Sequence, residues 1–176
     1  MPLPPPSPSP YPVTPVPPTP PPTPTCTPHP TPRQVEGEWA DDRLAEGVYR
    51  WADGAEYDGE LDEALRPHGR GGYVGVDGER YDGEFARGVR AGRGVSRLPG
   101  GDEYEGDWLD NQRHGRGTLR LAAGGSYEGG FEQGRRAGQG LALHADGSSY
   151  EGEWTDDVPH GVGNHYYPPT AEGADM

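Results

Sequence analysis

The sequence predicts an all-β chain, an antiparallel meander of stacked β-hairpins behind a proline-rich tail. Three observations predict it. Residues 35–167 repeat with a period of 22–24 residues. Inside each repeat, large apolar residues alternate with acids, as on a strand with one covered face. A period this short leaves no room for a helix between strands, so successive strands pair as antiparallel neighbours. Composition agrees: of 176 residues 30% are hydrophobic, with 30 Gly and 22 Pro, which disfavours a thick two-layer core.

The composition breaks once. Residues 1–32 hold 17 of the 22 prolines, and nearly all glycines follow Val35. The tail, residues 1–34, cannot hold helix or sheet, because proline removes donors and fixes φ. It reads as disordered or polyproline II chain, either a spacer or a ligand for proline-reading domains. Ser7, Ser9, Thr14, Thr19, Thr23, Thr27 and Thr31 each precede Pro. Cys26 is the only cysteine, so there is neither a disulfide framework nor a cysteine metal site.

The repeat array follows as units 35–56, 57–80, 81–103, 104–126, 127–149 and 150–167, and residues 168–176 read as a disordered C-terminus. Tyr57, Tyr81, Tyr104, Tyr127 and Tyr150 open units two to six, with Val35 in their place in the first. Two residues on stands Gly, and four on stands Trp39, Leu61, Phe85, Trp108, Phe131 or Trp154. A Gly-x-Gly opens the second strand, and a Gly turn leads into the next unit. Glycine beside each ring lets the ring lie flat on the backbone or lets a partner approach closely. The acids of the other face are expected to pair across the hairpin, Glu105 and Asp107 with Arg116 and Arg120, and Asp82 and Glu84 with Arg93 and Arg97. Val74 and Val76, and Leu141 and Leu143, fall one place out of phase with Leu119 and Leu121, which exchanges faces.

Little chemistry is legible. His68, His114 and His160 hold one repeat position, but four strands at about 4.8 Å separate them by roughly 19 Å, too far to share a metal. The Gly-rich stretches lack the lysine and helix of a phosphate loop. No enzyme, cofactor or metal is expected. All 15 basic residues are Arg, and the net charge of −14 argues against nucleic acid and disfavours membrane binding. No apolar run reaches the roughly 20 residues of a spanning helix, and no leader is visible, so a cytoplasmic setting is expected.

Tyr104–Gly117 and Tyr150–Gly163, the latter YEGEWTDDVPHGVG, resemble the MORN (membrane occupation and recognition nexus) repeat, and the resemblance covers residues 35–167. It implies an elongated, single-layered, twisted sheet whose aromatic and glycine groove binds a partner helix or extended peptide. The residues it points to are Tyr81, Phe85, Tyr104, Trp108, His114, Tyr127, Phe131, Tyr150, Trp154 and His160. A non-enzymatic scaffold in a ciliary (radial-spoke, axonemal) or other cytoskeletal assembly is the expectation. A phosphoinositide-binding module resting on Arg87, Arg90, Arg93, Arg97, Arg113, Arg116 and Arg120 is the first alternative. A spacer presenting the Pro-rich tail is the second. Trp108→Ala is expected to spare the sheet while losing the partner. A homodimer through the terminal unit, with its open edge near His165–Tyr167, is a further expectation.

Overall fold

The computed structural model describes residues 34–40 and 43–169. Residues 1–33 of the expected tail and the last seven residues lie outside the described residues, and Gln34 opens the first strand. Twelve strands are described: β1 (Gln34–Ala40), β2 (Arg43–Arg50), β3 (Glu56–Leu61), β4 (Pro67–Val74), β5 (Arg80–Ala86), β6 (Val89–Arg97), β7 (Glu103–Leu109), β8 (Gln112–Arg120), β9 (Gly125–Glu132), β10 (Arg135–His144), β11 (Ser149–Thr155) and β12 (Val158–Tyr166). They form one sheet in sequence order, each antiparallel to its neighbours. No helix occurs among the described residues. At about 4.8 Å per strand the sheet runs for roughly 50–55 Å.

Two kinds of turn alternate. Hairpins within units three to six close on two residues with φ above zero: Arg87 and Gly88, Asp110 and Asn111, Gln133 and Gly134, Asp156 and Asp157. That is the type I′ geometry, whose twist matches the strands. The turns between units use three residues with a left-handed Gly last, as at Gly101, where Gly101 N–H donates to Leu98 O. The extra residue of unit two converts its hairpin to the three-residue form. Leu65 there takes φ 56°, and its N–H donates to Asp62 O.

Register sorts the residues into rows across the strands. One row is glycine throughout: Gly37, Gly47, Gly59, Gly71, Gly83, Gly94, Gly106, Gly117, Gly129, Gly140, Gly152 and Gly163 pair in succession. The tyrosine rings lie on this row. A Cβ at Gly117 would stand 2.5 Å from Tyr104 Cε2 and Oη, so glycine is the only residue that admits the ring. Phe85, Trp108, Phe131 and Trp154 stand opposite the first glycine of the preceding Gly-x-Gly, as Trp108 does opposite Gly92. Together these rings form the core.

The out-of-phase strands behave as register dictates. Ala142 is buried among the rings, while Leu141 and Leu143, opposite Glu151 and Ser149, are exposed. Tyr73 likewise lies against the core and Val74 is exposed.

Candidate functional site

The sheet offers two surfaces, and the aromatic one is the less accessible. Its rings make an unbroken zigzag of edge-to-face contacts: Tyr57 to Phe85 at 5.1 Å, Phe85 to Tyr81 at 5.1 Å, Tyr81 to Trp108 at 5.1 Å, Trp108 to Tyr104 at 5.2 Å. It continues from Tyr104 to Phe131 at 5.0 Å, then Tyr127, Trp154 and Tyr150 at 5.1–5.2 Å. Each such pair adds about 0.5–1.5 kcal/mol beyond area burial. The tyrosine hydroxyls turn down into the backbone. Tyr104 Oη donates to Asp107 O at 2.9 Å, and Tyr81, Tyr127 and Tyr150 donate three residues on in the same way. Trp108 and Trp154 Nε1 donate to Gly94 O and Gly140 O, both at 3.1 Å.

Arginine covers this core. Arg90, Arg113 and Arg136 occupy one repeat position, opposite Phe85, Trp108 and Phe131. Each guanidinium lies over its own unit's Tyr and the next unit's ring: Arg90 over Tyr81 and Trp108, Arg113 over Tyr104 and Phe131, Arg136 over Tyr127 and Trp154. The next hairpin tip holds each of them. Asn111 N–H donates to Arg90 O while Asn111 Oδ1 accepts Arg90 N–H, and Asp157 makes the same reciprocal pair with Arg136. Asp157 also accepts the Arg136 Nε–H at 3.1 Å. Arg113 donates to Gly134 O at 2.8 Å. Arg90 is fully enclosed, ion-paired with Glu79 at 2.6 Å, and Ser96 donates to that same carboxylate.

Burial raises the hydroxyl pKa of Tyr57, Tyr81 and Tyr104 far above the usual phenol range and pushes Tyr127 up to about 12. Burial also lowers Arg113 from the ordinary guanidinium value.

These observations correct the groove expectation. Tyr81, Phe85, Tyr104, Trp108, Tyr127, Phe131, Tyr150 and Trp154 are buried, with at most 7% of their surface accessible. A single layer can hide them because each ring sits on glycine, is flanked by two others, and in the middle units is roofed by arginine. They are the core, and a partner on this side meets their cover. His114 and His160 are not with them: register sets them opposite Asp107 and Glu153, in step with the acidic face. Trp108→Ala would open the core, so the expectation that it spares the sheet falls too. Among the described residues no group of His, Cys, Asp or Glu stands close enough to hold a metal ion.

The acidic face is open. Row by row it reads Glu36, Val48, Asp58, Gly72, Asp82, Val95, Glu105, Thr118, Glu128, Leu141, Glu151 and Asn164, an acid on every second strand. All six acids are exposed. A trough of about 660 Å³ lies on this side over β2–β6, lined by Glu46, Asp58, Glu60, Asp82 and Glu84 among others. Of the expected ion pairs, Glu105 with Arg120 forms and the others differ. Arg120 meets Glu105 at 3.7 Å and Glu103 at 3.2 Å, but Arg93 pairs with Asp107 at 2.9 Å and Arg97 with Glu103 at 2.8 Å, both between β6 and β7 and not within the β5–β6 hairpin. Asp107 instead accepts the Arg116 backbone N–H. The cause is the bulge at the first glycine of each Gly-x-Gly, which breaks the register within the hairpin.

Sequence reasoning missed the arginine cover, although Arg90, Arg113 and Arg136 recur at the 23-residue spacing.

The architecture defines a class: an open repeat sheet in which each hairpin is completed by its neighbours. The MORN repeat model matches residues 36–56, 66–80, 81–103, 104–126, 127–149 and 150–169, and the chain belongs to that family. The weaker start of unit two coincides with its altered hairpin. No curated protein matches the chain. Among solved structures, it is similar to the TCP domain of SAS-4 (dCPAP) of Drosophila melanogaster, solved in complex with a proline-rich motif of Ana2 (dSTIL). The identity is 9%, the TM-score 0.30, and the match covers 76% of this chain and 90% of that one. At that level it carries no argument about function.

Proposed function

We propose that this chain is a non-enzymatic scaffold that binds a protein partner laid across its strands on the acidic face. The carrying observation is that, among the described residues, this face has no second layer over it and carries one exposed acid per unit in a single row. Successive acids lie two strands apart, roughly 9.6 Å. A helix rising 1.5 Å per residue matches that with a cation about every sixth or seventh residue, and an extended peptide with one about every third. Exposed Leu141 and Leu143 beside the acids give such a partner apolar contact. A ciliary or cytoskeletal assembly is the setting that family membership suggests.

The test is capture by the full chain, comparing wild type with Glu105→Arg/Glu128→Arg/Glu151→Arg. These side chains are exposed, so the variant folds, as circular dichroism would verify. The wild type should retain proteins that the variant loses. Equal capture by both would end this reading.

The phosphoinositide alternative has weaker support. Arg90 lies enclosed in the core, Arg113 over the rings, and Arg93, Arg97 and Arg120 are ion-paired. Sedimentation with phosphoinositide vesicles tests it directly.

A further inference from the structure

The two ends of the sheet complement one another. Among the described residues β12 pairs only with β11, and β1 only with β2, so each presents an open edge. Exposed edges are usually guarded by charge, proline or a bulge. β12 reads VPHGVGNHY and is the one strand of the twelve without Asp, Glu or Arg. Its Pro159 and the bulge at Gly161 guard one end, but Val162 and Tyr166 stand 82% and 60% exposed. An uncharged edge is conspicuous on a chain of net charge −14.

The inner boundaries show what such an edge accepts. At β6–β7 the pairs are Gly92 with Trp108, Gly94 with Gly106 and Ser96 with Tyr104. At β10–β11 they are Gly138 with Trp154, Gly140 with Gly152 and Ala142 with Tyr150. The same register carried onto β12 calls for an aromatic residue at Gly161, a glycine at Gly163 and a large residue at His165. β1 has that pattern in Trp39, Gly37 and Val35. Its acids also fit: Glu38 would face Val162 and Glu36 would face Asn164, so no like charges meet. His165 lies 4.6 Å from the Tyr150 ring. Pro168 and Pro169 after β12 limit the ladder, since proline brings no N–H.

We propose that β1 of a second copy pairs with β12, head to tail, continuing the sheet in its own register. Such a contact is heterologous and does not close on itself, so it builds open linear assemblies and not dimers. It stands independently of the partner on the acidic face.

Sedimentation velocity on the full chain tests this at neutral pH over a concentration series, with variants at the exposed Val162. The wild-type mass should climb past that of a dimer as concentration rises. Val162→Lys, opposite Glu38 of the next copy, should tighten association roughly two- to fivefold. Val162→Glu should weaken it by a similar factor, and adding Glu38→Lys to Val162→Glu should restore it. A mass that levels at the dimer, with both Val162 variants weakening it and Glu38→Lys without effect, would mean tail-to-tail pairing and overturn the proposal. A monomer at every concentration would overturn it as well.

Discussion

Gly117→Ala tests whether the rings form the core. Gly117 lies in the glycine row between Gly106 and Gly129, and Tyr104 covers it. An added Cβ would stand 2.5 Å from Tyr104 Cε2 and Oη and 2.6 Å from Cζ. Carbon contacts settle near 3.5–4.0 Å, so the ring must move by about 1 Å or more. It has nowhere to go: only 3% of Tyr104 is accessible, Trp108 and Phe131 flank it, and its hydroxyl is bonded to Asp107 O. Overpacking of this kind costs about 1–3 kcal/mol, and losing the hydroxyl bond about 1 kcal/mol more. Alanine regains about 0.5–1 kcal/mol through lower chain entropy in the unfolded state. The net loss is about 1–3.5 kcal/mol. Gly100→Ala is the control, because its Cβ would enter open space, and it should lose no stability, gaining up to about 0.5–1 kcal/mol from the entropy term alone. Urea unfolding followed by circular dichroism reads both, and hydrogen exchange should place the loss in β7–β9. Adding Tyr104→Ala to Gly117→Ala should cost less than the sum of the two, since the obstructing ring is gone. If Gly117→Ala matched Gly100→Ala, the rings would not be seated on the glycine row and the buried-core account would fail.

The other predictions concern the same core. Trp108→Ala should cost about 3–5 kcal/mol in urea unfolding, so any loss of partner capture would follow from loss of folding. Glu79→Ala strands the enclosed Arg90 and should cost about 3–5 kcal/mol in thermal unfolding, whereas Arg97→Ala, losing an exposed pair, should cost under about 1 kcal/mol. Alkaline pH should unfold the chain. Above about pH 10 the unfolded tyrosines lose protons that Tyr57, Tyr81, Tyr104 and Tyr127 keep when folded, so the unfolded state gains. Each such tyrosine then removes up to about 1.4 kcal/mol of stability per pH unit, until the pH reaches its folded pKa. Equal unfolding midpoints in urea at pH 9 and pH 11 would contradict tyrosine burial.

The strand order and the common face of the rings were legible because both follow from a 23-residue period and a two-residue alternation. The destination of the rings was not. Glycine beside Tyr104 permits a ring flat on the backbone or a close-lying partner, and only the pairing of Gly106 with Gly117 decides for the first. That pairing depends on the bulge at Gly115, whose φ of 58° leaves no trace in hydrophobic alternation. The equivalent bulge at Gly92 moved Arg93 from its expected partners to Asp107. Arg90, Arg113 and Arg136 were visible as a repeat, but a charge that roofs a ring reads in sequence like a charge in solvent.

The acids separate into two kinds, and the difference bears on function. Those at the fourth position of the unit have work inside the fold. Glu60 and Asp107 accept the backbone N–H that the bulge would leave unpaired, from Arg70 and Arg116, and the carboxylates of Glu84 and Glu153 lie against Gly92 and Gly161. Where Gly130 takes that place in unit five, a Cβ on the bulge residue Gly138 would find open space. The second-position acids, Glu36, Asp58, Asp82, Glu105, Glu128 and Glu151, occur in all six units. Yet the facing residues Val48, Gly72, Val95, Thr118, Leu141 and Asn164 offer them no charge to meet. Net charge alone would be served by acids placed anywhere on the surface. Glu36 and Glu105 reach Arg50 and Arg120 at 3.5 and 3.7 Å, but an acid kept in line through six units, each facing an uncharged residue directly across, is better explained by something laid along the row.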